Sequence, residues 1–150
     1  MKISIAVPTY ECYGKGGEFI DDLLRTIEIQ THKDFEVCVS DHSENDEVLD
    51  VLSQFEDKFE IRYSRNLENR GNGPANTNAA IDMCSGDIVK IMFQDDFFYD
   101  DEALEKIDTE MICSDKVWLL NGSNHTRDHG NSFYWDLYPL MNDKLLEGVN

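Results

Sequence analysis

Asp95 and Asp96 stand side by side just beyond an apolar run, IVKIMF at residues 88–93, with Gln94 before them and Phe97 and Phe98 after. Two neighbouring carboxylates at a strand exit repel each other unless a cation or strong hydrogen bonds offset the repulsion. A hard divalent ion such as Mg²⁺ or Mn²⁺, bridging to a phosphate, is the natural remedy, because these ions take oxygen ligands. Upstream, Gly71, Gly73, Pro74 and Asn76 form a loop that runs into a helix start. The unpaired N–H groups and partial positive charge of such a start suit a phosphate or a sugar hydroxyl. The loop is neither GxxxxGK[ST] nor a clean GxGxxG, so alone it specifies little.

These groups need elements to hold them. Residues 2–7 are rich in β-branched side chains and read as a strand ended by Pro8. Residues 9–17 form a loop with Gly14, Gly16 and Gly17, and apolar positions from Phe19 to Ile27 follow helical spacing over 18–30. Further strands are expected at 35–40, 59–63, 87–93 and 116–120. Further helices are expected at 46–55, from Pro74 to about Met83, and at 101–113. Ala75, Ala79, Ala80 and Met83 would mark the buried face of the third helix, with Gly86 as its C-cap. Strands alternating with helices predict an α/β fold, a mostly parallel sheet with helices on both faces.

In such sheets ligands bind outside the carboxyl ends of the strands. Pro8, Thr9 and Tyr10 leave the first strand there, Ser40 and Asp41 the second, and Gln94, Asp95 and Asp96 a later one. If the first two strands are neighbours, their exits share a crevice in which Asp41 accepts a base N–H and Tyr10 packs against the ring. Asp41 equally suits a helix cap or a turn. His125 and His129 have zinc spacing only on a helix, and Asn121, Gly122, Gly130 and Asn131 around them argue against one. Phe133, Tyr134, Trp135 and Tyr138 would either pack under a loop or stack on a ligand.

The bulk numbers set bounds. A chain of 150 residues suits one domain, and 41% hydrophobic with 11% aromatic residues suffice for a core. The net charge of −18, from 31 acidic against 13 basic side chains, opposes nucleic acid and anionic membranes as partners. Cys12, Cys38, Cys84 and Cys113 form no CxxC pair and are expected as buried free thiols in a reducing compartment. No segment approaches the ~18 apolar residues of a membrane span. The start, MKISIAVPTY, lacks the apolar region of a signal peptide. A cytoplasmic location is therefore expected.

Four segments in this order, VPTY (7–10), VSDHSEND (39–46), NRGNGPANTNAAI (69–81) and SGDIVKIMFQDDF (85–97), resemble family 2 glycosyltransferases. The resemblance covers most of residues 1–100 and implies the GT-A fold, a Rossmann-like sheet, with a nucleotide-sugar donor, UDP-sugar favoured. It implies that Pro8, Thr9, Tyr10 and Glu11 border the nucleoside, and that Asp41 reads the uracil or other base edge. The family usually continues there with Gly-Ser, where this chain has His42 and Ser43. Asn69, Gly73, Asn76 and Asn78 fall in the segment beside the diphosphate and donor sugar. An arginine is common in the family at the position of Asn76, and its absence weakens a phosphate contact. Gln94, Asp95 and Asp96 match the DxD region, with Phe93 in place of its first Asp. Asp96 is the expected ligand of Mn²⁺ or Mg²⁺, and Asp95 the contact to ribose or sugar.

The implied reaction is inverting transfer to a saccharide or other hydroxyl acceptor. The metal neutralises the departing nucleoside diphosphate, and a separate carboxylate deprotonates the acceptor. No motif for that base is legible here; Asp128 and Asp136 lack its context. The expected organisation is a single, truncated domain with a nucleotide-sugar-binding half at 1–100 and the incomplete start of an acceptor half at 101–150. An alternative is a catalytically incomplete nucleotide-sugar and metal-binding module acting with a partner. A third is a nucleotidyltransferase-like enzyme, disfavoured because such enzymes need a Gly-rich basic loop after the first strand, where Lys15 supplies one positive charge and the spacing is poor.

Overall fold

The computed structural model of the chain describes residues 1–113 and the strand residues 125–127 and 132–134. Two compact units divide the chain, Met1–Asp108 and Thr109–Asn150. The first is built on a four-stranded sheet in the order β3-β2-β1-β4, comprising β1 (Ile3–Thr9), β2 (Phe35–Asp41), β3 (Glu60–Arg65) and β4 (Ile88–Ile91). Every pairing is parallel. Parallel neighbours require crossovers, and these contain α1 (Gly16–Glu28), α2 (Glu47–Leu52) and α3 (Gly73–Asp82), while α4 (Ala103–Ile112) follows β4. In the second unit β5 (His125–Arg127) pairs antiparallel with β6 (Ser132–Tyr134). His125 thus stands on a strand, whereas His129, Trp135, Tyr138 and the expected strand at 116–120 lie outside the described residues.

All seven residues of β1 and all seven of β2 are buried, so both faces of the sheet's centre are covered. α3 packs on β1 and β2, and α1 packs against α2. Ile20, Leu23, Leu24 and Ile27 form the buried stripe of α1, and Phe55 and Phe59 close one end of the core with ring centroids 6.0 Å apart. β4 is shorter than its apolar run predicts. Among the described residues it pairs only with β1, and Val89, Ile91 and Phe93 are exposed.

Pro8 does not end β1. Thr9 O accepts the His42 N–H on the β2 side, while Ala6 O accepts the Met92 N–H on the β4 side. Residues of a central parallel strand alternate between neighbours, so Pro8 faces the β4 side, where β4 has already stopped and no donor is required. Gly86 is not a helix cap either, since Met83 holds that place. A Cβ at Gly86 would lie 2.6 Å from Lys2 O and 2.8 Å from Ser4 Oγ, so the chain crosses β1 too closely for any side chain. On α3 the buried positions are Asn76 and Ala80, one turn apart, in place of the expected alanine face. Of the four thiols only Cys38 is buried; Cys12 and Cys84 are half-buried and Cys113 is exposed.

Candidate functional site

The carboxyl edge of the sheet collects side chains from three exits, and Thr9 ties them together. Its backbone oxygen accepts the His42 N–H at 2.9 Å and Asn76 Nδ2 at 3.0 Å. Its hydroxyl donates to Gln94 Oε1, which also accepts the Tyr10 N–H at 2.7 Å. The C=O and N–H of a trans peptide point in opposite directions, so Asn76 and Gln94 grip the Thr9–Tyr10 peptide from its two sides.

Those side chains are held with part of their hydrogen-bonding capacity unused. Asn76 and Gln94 are each 4% exposed, yet Asn76 Oδ1 and Gln94 Nε2 have no partner. The same holds for His42 Nε2, Ser40 Oγ, Ser43 Oγ, Glu11 Oε2 and Glu47 Oε2. Each of these residues lies at the carboxyl edge, in a loop leaving it, or near the start of α2 or α3. Buried polar groups normally find partners, so this concentration marks the edge.

Asp41 is fully buried at the end of β2. Its Oδ1 accepts the Ser43 N–H at 2.8 Å, the turn geometry foreseen for an aspartate here, and its Oδ2 accepts Tyr63 Oη–H at 2.9 Å. Burial and Asp41 together push the Tyr63 phenol above its ordinary pKa. Burial pulls the His42 imidazole below its ordinary value, with Asp41 opposing and Arg70 assisting. Asp41 can accept further bonds, since a carboxylate offers about four lone-pair sites.

Arg70 was not singled out from the sequence, and its contacts cross this edge. Its Nε donates to His42 O at 2.9 Å, it pairs with Glu11, and Glu44 Oε1 lies 3.4 Å from the guanidinium. Glu11 opens a tight turn in which Cys12 and Tyr13 take positive φ values of 45° and 55°. Gly16 follows because a Cβ there would sit 2.5 Å from Tyr10 O.

After β4 the chain turns back: Asp96 N–H donates to Phe93 O at 3.0 Å, and Asp96 Oδ2 accepts the Phe93 N–H at 3.3 Å. Asp95 and Asp96 are exposed on this turn. Burial lowers the pKa of Lys90, with Asp96 opposing. Among the described residues no three His, Cys, Asp or Glu side chains converge as a metal cage. A hard cation working on phosphate uses one or two carboxylates and completes its shell with phosphate and water; an exposed Asp pair fits that donor set. Asn69, Gly73 and Asn78 are also exposed, Asn69 in a turn at φ 59° and Asn78 on the outer side of α3.

A parallel α/β sheet with unpartnered polar groups at its carboxyl edge is an open α/β fold of the class whose ligand sites lie at that edge, and its likeness to solved TarS structures makes it a GT-A fold. The profile of Glycosyl transferase family 2 matches residues 4–135, and the chain belongs to that family. It is 30% identical over 100 residues to the poly(ribitol-phosphate) beta-N-acetylglucosaminyltransferase TarS of Staphylococcus aureus, covering 65% of this chain and 17% of that protein. It is 30% identical over 99 residues to a poly(ribitol-phosphate) beta-glucosyltransferase of Bacillus spizizenii, covering 65% of this chain and 15% of that protein. Among solved structures it resembles S. aureus TarS 1–349 in complex with UDP, with TM-score 0.66 and 27% identity, over 85% of this chain and 38% of that one. The UDP-GlcNAc complex of the same protein matches with TM-score 0.65 and 26% identity, over 85% of this chain and 37% of that one. This chain therefore spans well under half the length of each. Among the described residues no helix is long and apolar enough to cross a membrane.

Proposed function

We propose that this chain forms the donor-binding part of a glycosyltransferase that takes a nucleoside-diphosphate sugar, with uridine as the base, and transfers its sugar to a hydroxyl acceptor with inversion. The observation that carries this reading is the set of buried, unpartnered polar atoms at the carboxyl edge, gathered around Thr9. A polar group withdrawn from water without a partner costs about 1–3 kcal/mol. A ligand dense in hydroxyl and amide groups relieves that cost, and a nucleotide sugar is such a ligand. The UDP and UDP-GlcNAc complexes of the TarS neighbour support the same choice.

On this reading Pro8, Thr9, Tyr10 and Glu11 border the nucleoside and Asp41 accepts a base N–H. Asn69, Gly73, Asn76 and Asn78 lie along the diphosphate and sugar, while Gln94 and Asp95 contact ribose or sugar hydroxyls. Asp96 would hold Mn²⁺ or Mg²⁺, which supplies Lewis-acid neutralisation of the leaving diphosphate. The base that takes the acceptor proton is a separate carboxylate; Asp128 and Asp136 lie outside the described residues. Residues 1–100 form the donor half and 101–150 begin the acceptor half.

Calorimetric titration of UDP with and without Mn²⁺, on wild type and Asp96→Ala, tests the proposal. Heat that requires both the metal and Asp96 supports it. A folded wild type that binds no UDP under either condition refutes it.

A further inference from the structure

Arg70 reaches from the segment between β3 and α3 to the two loops that leave β1 and β2. Glu11 belongs to the first of those loops, His42 and Glu44 to the second. The backbone is shaped around this reach: Asn69 and Gly71, on either side of Arg70, both have positive φ, at 59° and 85°. Glycine adopts that region freely and asparagine more readily than most L-residues, so these residue types suit the turn that carries Arg70. The Asn72 N–H closes the turn on Asn69 O at 2.9 Å, and the Asn66 N–H is anchored on Asp41 O at 2.8 Å.

Both residues that Arg70 holds retain an unused buried atom, Glu11 Oε2 and His42 Nε2. An ionised carboxylate only accepts hydrogen bonds, so Glu11 Oε2 calls for a donor such as a ribose hydroxyl. A neutral imidazole offers one donor and one acceptor, and burial, with Arg70 assisting and Asp41 opposing, shifts His42 towards that form. The surroundings of the guanidinium also exclude one role. Glu11 and Glu44 together outweigh its single positive charge, which disfavours a diphosphate at this place. The carboxylate pair suited to a cation and its phosphates, Asp95 and Asp96, lies on the other side of β1, after β4.

We infer that Arg70 is a positioning residue for the nucleoside end of the donor site, bracing the β1 and β2 exit loops so that Glu11 and His42 meet the ribose and base. The inference rests on the donor-site reading above. Arg70 acts through these two residues and does not contact the phosphates.

The test is calorimetric titration of the full chain with UDP and with uridine, in wild type, Arg70→Ala and Arg70→Lys. Arg70→Ala is expected to weaken UDP and uridine by the same factor, on the order of tenfold, the scale of a lost charged hydrogen-bonding partner. Arg70→Lys is not expected to rescue, because one ammonium cannot span acceptors on two loops as the planar guanidinium does. A merely structural role would move the unfolding midpoint without this matched loss at temperatures where the variant is folded. Should Arg70→Ala fail to fold, Glu11→Gln replaces it, with the same matched loss expected. Unchanged affinity in a folded variant overturns the inference, and so does a loss for UDP that exceeds the loss for uridine, which would make Arg70 a phosphate contact. Wild type that binds neither ligand overturns the donor-site reading along with it.

Discussion

Glu36 is fully buried at the amino edge of β2, yet it is a carboxylate with every oxygen engaged. Lys2 Nζ donates to it at 2.7 Å, Ser4 Oγ–H at 2.6 Å and the Ser85 N–H at 2.6 Å, and Arg62 lies 3.1 Å away. Burial alone would raise its pKa; the hydrogen bonds from Lys2, Ser4 and Ser85 overcome that and hold it at about 2 against an ordinary 4.5. The sign follows from linkage: a depressed folded-state pKa stabilises the fold above pH 4.5, and that stabilisation drains away as pH falls towards 2. A shift from 4.5 to about 2 corresponds to roughly 3.4 kcal/mol at pH 7, falling to roughly 2 kcal/mol at pH 3.5. Glu36→Gln keeps the shape but turns one acceptor into a donor that faces other donors. Urea unfolding should show the variant less stable by about 3 kcal/mol at pH 7, with the gap about 1.4 kcal/mol narrower at pH 3.5. A gap below about 0.5 kcal/mol, or one equal at both pH values, would refute the account of Glu36 as a stabilised charge.

Two further outcomes are expected. Gly86→Ala should lower the urea midpoint by an amount equivalent to about 1–3 kcal/mol, because its Cβ would meet Lys2 O and the Ser4 backbone within 2.9 Å; a variant as stable as wild type would show that the crossing over β1 can yield. Iodoacetamide at pH 8 should modify the exposed Cys113 while sparing Cys38, whose thiol burial pushes up to about 12, until urea unfolds the protein; mass spectrometry of the alkylated peptides decides the point.

What the sequence disclosed, and what it withheld, follows from how far each interaction reaches along the chain. β1 was legible by its β-branched residues, β2 by its alternating and partly continuous apolar character, and α1 because its buried positions recur at helical spacing. Pro8 misled because its tolerance depends on where β4 stops, a fact of the neighbouring strand. Gly86 misled for the same kind of reason: its local context suggests a cap, but the atoms that exclude a side chain belong to Lys2 and Ser4. At the proposed site, Asp41 and Gln94 stood out by their place at or after a strand end, and Asn76 by the loop read as running into a helix start. Arg70 did not, because its partners lie 28 and 59 residues away and meet it only once β2 and β1 are adjacent. The tie between Gln94 and Thr9, 85 residues apart, was equally invisible.

The two edges of the sheet carry opposite polar arrangements. At the amino edge the buried carboxylate of Glu36 is saturated, Lys2 reaches on to Glu60 at 3.0 Å, and Arg62 joins Glu60 to the Met83 carbonyl. None of the buried unpartnered side-chain atoms among the described residues lies there. At the carboxyl edge Asn76, Gln94, His42 and Glu11 each make enough bonds to be held in place and leave an atom unused. Selection for stability alone would pair or replace those atoms, since each unpaired one costs about 1–3 kcal/mol. Their concentration there, beside a saturated opposite edge, is the observation on which the proposed donor site rests. On the proposed donor-site reading, the groups that hold them, Thr9 and Arg70 foremost, count as much as those that would touch the nucleotide.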